Sequence, residues 1–409
     1  MKGSPVNIPP HVPPGLVVDF DFYHPKGFVD DAHKALYALK LNAPGSIFWT
    51  PRNGGHWVVV SASGIKAVQN DFSHFSHSEI ILPPAPDSDM RLLPAYLDPP
   101  AHRSFRSLVM PPLLPTALGR IEAGLRRLTI ELTEKIAPLG QCEFIAEFAS
   151  VMPVVVFCEL FGLPQEDRER ILPWGSLVTR GGTLEIRQQA MRDLDQYVLD
   201  IIRARELEPR GDLISTLVAA KIDGRKITER ETLEICRGLV LGGLDTVAGM
   251  LGFFARFLAL NPIHCHQLID DPRLIPNAVE ELIRRHGIVN SARRVARDVC
   301  LEGVELRAGD MIQVPNLFYG LDETVSNDPL TVDFNRPRPR HVAFGSGPHI
   351  CPAQHLARRE LTVFIEEWLK RIPNFAIAPN THAEIESGMV LSVRSLHLVW
   401  IPRGSARSH

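Results

Sequence analysis

The 409-residue chain has no cysteine pair close enough to read as a motif: Cys142, Cys158, Cys236, Cys265, Cys300 and Cys351 stand singly. That spacing excludes the dense disulfide framework of small secreted domains, a C-x-x-C redox pair and a four-cysteine cluster site, and it fits a reducing cytoplasm. No G-x-G-x-x-G follows a strand-like run, so the chain lacks a flavin- or nicotinamide-binding turn, and electrons for any redox chemistry must come from another protein. The N-terminal MKGSPVNIPPHVPPG is too polar and proline-rich for a secretory signal or a membrane anchor. Charge of one sign is missing too. With 44 basic and 47 acidic residues the formal net charge is −3, which gives no electrostatic reason to expect nucleic acid or an anionic membrane. No linker, charge block or repeat divides the chain, and it reads as one domain over residues 1–409.

With 45% hydrophobic and 22% charged residues, the chain can bury a large core. Helical periodicity dominates from about 113 to 285 and returns at 352–371, so the fold class expected is mainly α with a minor β portion. β-rich stretches are expected near 45–62, 299–315 and 380–400. The first reads as a hairpin, SIFWT and WVVVSA around the turn Arg52-Asn53-Gly54-Gly55. From Thr228 to Asn261 the pattern predicts one helix of roughly 33 residues, opened by a Thr228/Glu231 capping box and stopped by Pro262, about 50 Å long. Its stretch Gly238 to Leu260 is apolar enough to cross a membrane. Asp245 near its centre would cost roughly 2.5 to 3.5 kcal/mol there, so a buried central helix is the better reading.

The chemistry concentrates between His341 and Leu369, HVAFGSGPHICPAQHLARRELTVFIEEWL. Phe344-Gly345-Ser346-Gly347 reads as a flexible loop, Cys351 follows it, and an amphipathic helix is expected from Pro352, at its first position, to about Arg371. A cysteine at a helix N-terminus has its thiolate favoured by orphan N–H groups and the dipole, and a thiolate binds iron.

This loop resembles the cysteine-ligand loop of the cytochromes P-450: Phe344, Gly347 and Cys351 match in spacing, and Ala353 stands where the family has a final glycine. Glu281-Leu282-Ile283-Arg284 resembles the family's Glu-x-x-Arg element, with Phe334-Asn335-Arg336 resembling the segment it locks. Gly242-Gly243-Leu244-Asp245-Thr246 looks like the oxygen-binding acid–alcohol motif, where a threonine bonding back to the carbonyl one turn earlier opens the helix. Asp98-Pro99-Pro100-Ala101-His102-Arg103-Ser104-Phe105-Arg106 resembles the helix whose His and Arg pair with haem propionates. The resemblance spans Asp19 to Trp400 and is nearest the bacterial camphor hydroxylase group, through NGGHW, GGLDT and QHLARRE.

What the resemblance implies is a cytochrome P-450 fold, with haem b between the long central helix and the cysteine loop, Cys351 as axial thiolate, and one atom of O₂ inserted into a C–H bond. It assigns proton delivery to Asp245 and Thr246, and cofactor contacts to His102, Arg106, Gly242, Arg293, Phe344, His349 and Cys351. For substrate it points to Ile81, Met90, Leu92, Leu241, Val289 and Val390, an apolar set suited to a small terpenoid or norisoprenoid; Met90 replaces the tyrosine that anchors camphor, so camphor itself is disfavoured. The implied electron donor is a ferredoxin, with a [2Fe–2S] cluster and its reductase, docking where Arg103, Arg106, Arg358 and Arg359 gather. Pro352 has no N–H to give the sulfur, which would leave the thiolate more electron-rich than the family's norm. Other readings of the same residues are a peroxygenase or dehydratase, a hydrolase with Cys351 as nucleophile and His349 or His355 as base, and a non-catalytic carrier of haem or an apolar ligand.

Overall fold

The long helix is fixed at its start by its own side chains. Thr228 Oγ1 accepts from the Glu231 amide and the Glu231 carboxylate accepts from the Thr228 amide, so the capping box is complete. The structure is a computed structural model that describes residues 6–28, 31–84, 91–163, 167, 170, 171, 173, 174, 177 and 184–402. Among the described residues the chain forms helices α1 (Ala32–Leu41), α2 (Ala62–Asn70), α3 (Ala101–Val109), α4 (Gly119–Ile136), α5 (Val151–Phe161) and α6 (Leu184–Leu207). Then come α7 (Leu213–Ala219), the central α8 (Glu229–Leu260), α9 (Pro262–Asp270), α10 (Ile275–Arg285), α11 (Leu317–Gly320) and α12 (Gln354–Arg371). Two-thirds of the most apolar stretch of α8 is buried against other elements, as expected for the core helix. Pro262 opens α9 one residue beyond the α8 cap.

The expected hairpin forms β1 (Ile47–Thr50) and β2 (His56–Val59), with Asn53, Gly54 and Gly55 all at positive φ in the turn. It extends into a five-stranded sheet, β1-β2-β10-β7-β3, with β3 at Phe75–Ser76, β7 at Asn290–Val295 and β10 at Met311–Pro315. β8 (Val299–Leu301) and β9 (Val304–Leu306) turn at Gly303 as expected. Towards the C-terminus β12 (Glu384–Glu386) pairs with β13 (Ser392–Ser395), and β11 (Phe375–Ile377) with β14 (His397–Trp400).

Several strands fall outside the expected β-rich stretches, β3, β4, β7 and β11 among them. β4 (Gln141–Glu143) pairs with β14 across more than 250 residues, inside the stretch expected to be helical. Three residues carry no periodicity of their own, and the pairing exists only because two distant stretches of the chain meet. β7 escaped because one face carries Ser291 and Arg293, polar side chains that break the apolar alternation of an ordinary strand.

The Glu281–Arg284 pair is fully buried at 2.7 Å. Arg284 also donates to the carbonyls of Gly320, Pro329 and Thr331, while Glu281 accepts from Arg336 Nε at 2.9 Å and from the Asp333 amide. One ion pair therefore pins α10, α11 and the 329–336 segment together, supporting the wall on which the cysteine loop rests.

Candidate active site

The glycines of α8 fall into two classes. A Cβ on Gly238 would lie 2.9 Å from the Leu93 carbonyl oxygen, and one on Gly252 would lie 2.8 Å from Val393 Cβ, so these are places of close approach. A Cβ on Gly242 or Gly243 would meet nothing within 4 Å among the described residues. Those two glycines border a cavity of about 390 Å³, and they expose one side of the helix to it. Thr246 lies one turn on, its hydroxyl donating to the Gly242 carbonyl oxygen at 2.6 Å. This is the back-bond expected from the sequence, but α8 runs unbroken through it, so the expected opening of the ladder is absent here. Asp245 faces away towards β13, where Ser392 Oγ donates to its Oδ2 at 3.3 Å and the Arg394 guanidinium lies 4.0 Å from Oδ1.

Across the cavity lies the cysteine loop. Gly345 and Gly347 are both at positive φ, and a Cβ on Gly347 would sit 2.7 Å from the Gln69 carbonyl oxygen, so neither position tolerates a side chain easily. The Cys351 amide donates to the Phe344 carbonyl at 2.8 Å, closing the loop. Phe344 is covered by the Arg358 guanidinium, 4.5 Å from its ring centre, and Arg358 is itself held by Glu280 at 2.6 Å.

Two expectations about Cys351 need correction. The helix begins at Gln354 with Ala353 as its cap, so Pro352 is a turn residue ahead of the first helical position. And burial pushes the Cys351 thiol up, outweighing the Ala353 amide that donates to the sulfur and the nearby charges of Arg106 and Arg358. The dipole alone does not make a thiolate; a bound metal cation would have to supply that bias. Among the described residues no imidazole bonds to the sulfur: His355 is exposed, and His349 is stacked elsewhere, which removes the base that a hydrolase would need.

His349 belongs to a buried polar cluster at one end of the cavity. Its ring stacks on His77 at 3.3 Å between centres and lies tilted against His102 at 3.9 Å. Among the described residues, neither nitrogen of His77 or His102, nor His349 Nε2, nor Arg293 Nε, has a hydrogen-bond partner. Burial holds His77 and His102 down to about 4, His349 to about 2 and Arg293 to about 10. Buried donors without partners cost free energy, and this many together call for acidic acceptors. Arg106 is turned inward, donating to the Ile350 carbonyl beside the cysteine. The sequence missed His77, whose position is set by β3, and also Glu360. Glu360 lines the cavity from α12, and burial raises its carboxyl to about 8, so it is mostly protonated at neutral pH.

Most of the remaining wall is apolar, with Ile80, Ala95, Leu239, Leu244, Val247 and Val289 contributing beside Gln69, Ser291 and Asn316. Of the substrate residues expected from the sequence, Val289 lines it. Val390 stands behind, bridged to Val289, while Ile81, Leu92 and Leu241 are not among the lining residues. Neighbours replace them: Ile80 for Ile81, and Gly238 and Leu239 for Leu241. Met90 lies outside the described residues.

A thiol facing two bare glycines across an apolar cavity, with unpaired imidazole and guanidinium nitrogens at one end, fits a flat iron macrocycle bearing two carboxylates. Comparison with known proteins agrees. Residues 171–386 match the family model for cytochrome P450. The chain is 33% identical to a probable cytochrome P450 127A1 of Sinorhizobium fredii, over 96% of this chain and 97% of that one. It is 32% identical to a mycinamicin IV hydroxylase/epoxidase of Micromonospora griseorubida, over 88% and 94%. Among solved structures it resembles CYP101J2 (TM-score 0.89, 36% identity) and CYP101C1 (0.90, 34%), each covering 97% of this chain and 100% of the other. With the cysteine loop, the glycine-flanked helix and the nitrogen cluster converging on one cavity, the chain belongs to the cytochrome P450 family, monooxygenases that carry haem b on a cysteine thiolate.

Proposed function

We propose that Cys351 is the haem ligand and that the enzyme hydroxylates a small apolar substrate of terpenoid or norisoprenoid type. The observation that carries this reading is the cavity itself, bounded by Cys351 and Phe344 on one side and by Gly242 and Thr246 on the other, with a mostly apolar wall away from the nitrogen cluster. Bound there, haem supplies activation of O₂ with two electrons. His102, Arg106, Arg293 and His349 hold its propionates. Thr246 presents its hydroxyl at the cavity and delivers the protons that the chemistry consumes; Asp245, turned towards β13, passes them inward. Val289, with Ile80, Ala95 and Leu239, gives an apolar substrate a dry wall.

Electrons come from a [2Fe–2S] ferredoxin and its reductase in the cytoplasm. Its dock is the face near Cys351 where Arg103 and Arg359 are exposed; Arg358 and Arg106 are committed to Glu280 and to the cysteine loop, so they add charge more than contact. The test is the dithionite-reduced, CO-bound spectrum. A strongly red-shifted Soret band, lost in Cys351→Ala, is expected; an unshifted band would refute thiolate ligation. A panel of terpenoids should then drive the low- to high-spin change, and a response confined to polar or acidic compounds would refute the substrate class.

A further inference from the structure

His77 is 4% exposed, borders the cavity, and has no hydrogen-bond partner for either ring nitrogen among the described residues. Its place is set by backbone pairing: β3 lies antiparallel to β7 with Ser76 opposite Arg294, which brings residue 77 alongside Arg293. On its other side is Asp98, whose Oδ1 accepts from the His77 amide at 2.9 Å and lies 3.6 Å from His77 Nδ1, while Oδ2 accepts from Ser76 Oγ. We propose that His77 is a further propionate-binding residue of this chain, a cationic donor placed between the Asp98 carboxylate and a propionate. The inference rests on the reading that haem occupies the cavity.

The bland alternative is a core histidine that merely stacks on His349. Stacking, however, leaves the buried Nε2 without a hydrogen bond among the described residues and Nδ1 with only the Asp98 carboxylate 3.6 Å away, at a cost that a passive core position avoids with an aromatic ring. Two propionates offer four oxygens, enough for the donors of His77, His102, His349 and Arg293. The charged and titratable groups facing His77 are Asp98 from the segment before α3, His102 from α3, Arg293 from β7 and His349 from the cysteine loop. In the chain alone burial keeps His77 neutral. Between the carboxylates of Asp98 and a propionate, the ring holds both protons, a cation flanked by two anions.

The test compares holoenzyme with His77→Phe, which keeps the stacked ring, and His77→Gln, which keeps a donor but no charge. Two readouts are taken: the rate of haem transfer to excess apomyoglobin, and the midpoint potential. His77→Phe should release haem at least about tenfold faster, the equivalent of a ~1.4 kcal/mol loss of a charged hydrogen bond. Its potential should fall, because a cation near the iron favours the reduced state. His77→Gln should regain most of the retention yet keep the lowered potential. Unchanged potentials in both variants would overturn the proposal, whatever the release rates, because a packing role would not set them. If His77→Phe does not fold, His77→Gln decides: near-normal retention with a lowered potential supports the assignment, and a wild-type potential overturns it. A wild-type protein that lacks the red-shifted CO band would refute the underlying haem-thiolate reading instead.

Discussion

Thr246 is half-buried, and its hydroxyl bonds within its own helix, so removing that hydroxyl disturbs no neighbouring element. Thr246→Ala is therefore expected to keep fold, haem and substrate binding while diverting electrons to hydrogen peroxide; product per NAD(P)H consumed should fall several-fold, and equal coupling would remove Thr246 from proton delivery. At Cys351 the sulfur accepts from the Ala353 amide, but Pro352 supplies nothing. Pro352→Leu adds a donor, draws charge off the sulfur and should raise the midpoint potential by several tens of millivolts, where ~59 mV is a tenfold shift for one electron. A fall, or no change, would contradict the role given to proline. Cys351 itself was legible from its loop, since glycine, phenylalanine and cysteine spacing records backbone geometry. The substrate wall was less so: at 3.6 residues per turn Leu239, Gly243 and Thr246 share the cavity face and Leu241 does not, and one residue of offset also swaps Ile81 for Ile80.

At the scale of elements, the two classes of glycine in α8 predict opposite effects from one methyl group. In the haem-free protein, Gly242→Ala should raise unfolding free energy by up to about 1 kcal/mol, the helix-propensity gain. Gly238→Ala should lower it by about 1–3 kcal/mol, since Cβ meets the Leu93 carbonyl that packs on the helix. Urea titration of both variants measures the signs, and like signs would contradict the packing described. Gly238→Ala should also weaken the substrate-induced spin shift, because it lifts the segment carrying Ala95 off the cavity. The Glu281–Arg284 pair looks in sequence like any surface i,i+3 pair; buried and bound to three carbonyls, it becomes a clamp. Arg284→Leu leaves the buried Glu281 carboxylate with Arg336 as its one cation among the described residues and three carbonyls without their donor, and should cost about 3–5 kcal/mol or prevent folding. Expression and thermal melting check this, and a near-wild-type melting temperature would count against a clamp.

For the whole molecule, burial holds His33 and His56 down to about 4 against an ordinary 6.5. Between those values the unfolded chain binds more protons than the folded one, so stability rises with pH and is lost as pH falls through 6.5. Each such histidine contributes up to about 1.4 kcal/mol per pH unit within that window. The urea midpoint of the haem-free protein should accordingly drop between pH 7 and pH 5; a flat profile would mean that these rings are not buried neutral. Periodicity, turn residues and the capping box determined by themselves the mainly helical class, the hairpin, the extent of α8 and the cysteine loop, because each depends on residues near one another in the chain. Only the tertiary structure decided that β4 and β7 are strands, that Glu281 and Arg284 are buried, and which side chains wall the cavity. It also brought His77, Asp98, His102, Arg293 and His349 together from four separate stretches. Those outcomes depend on which distant backbones meet, and no local pattern of residues records that.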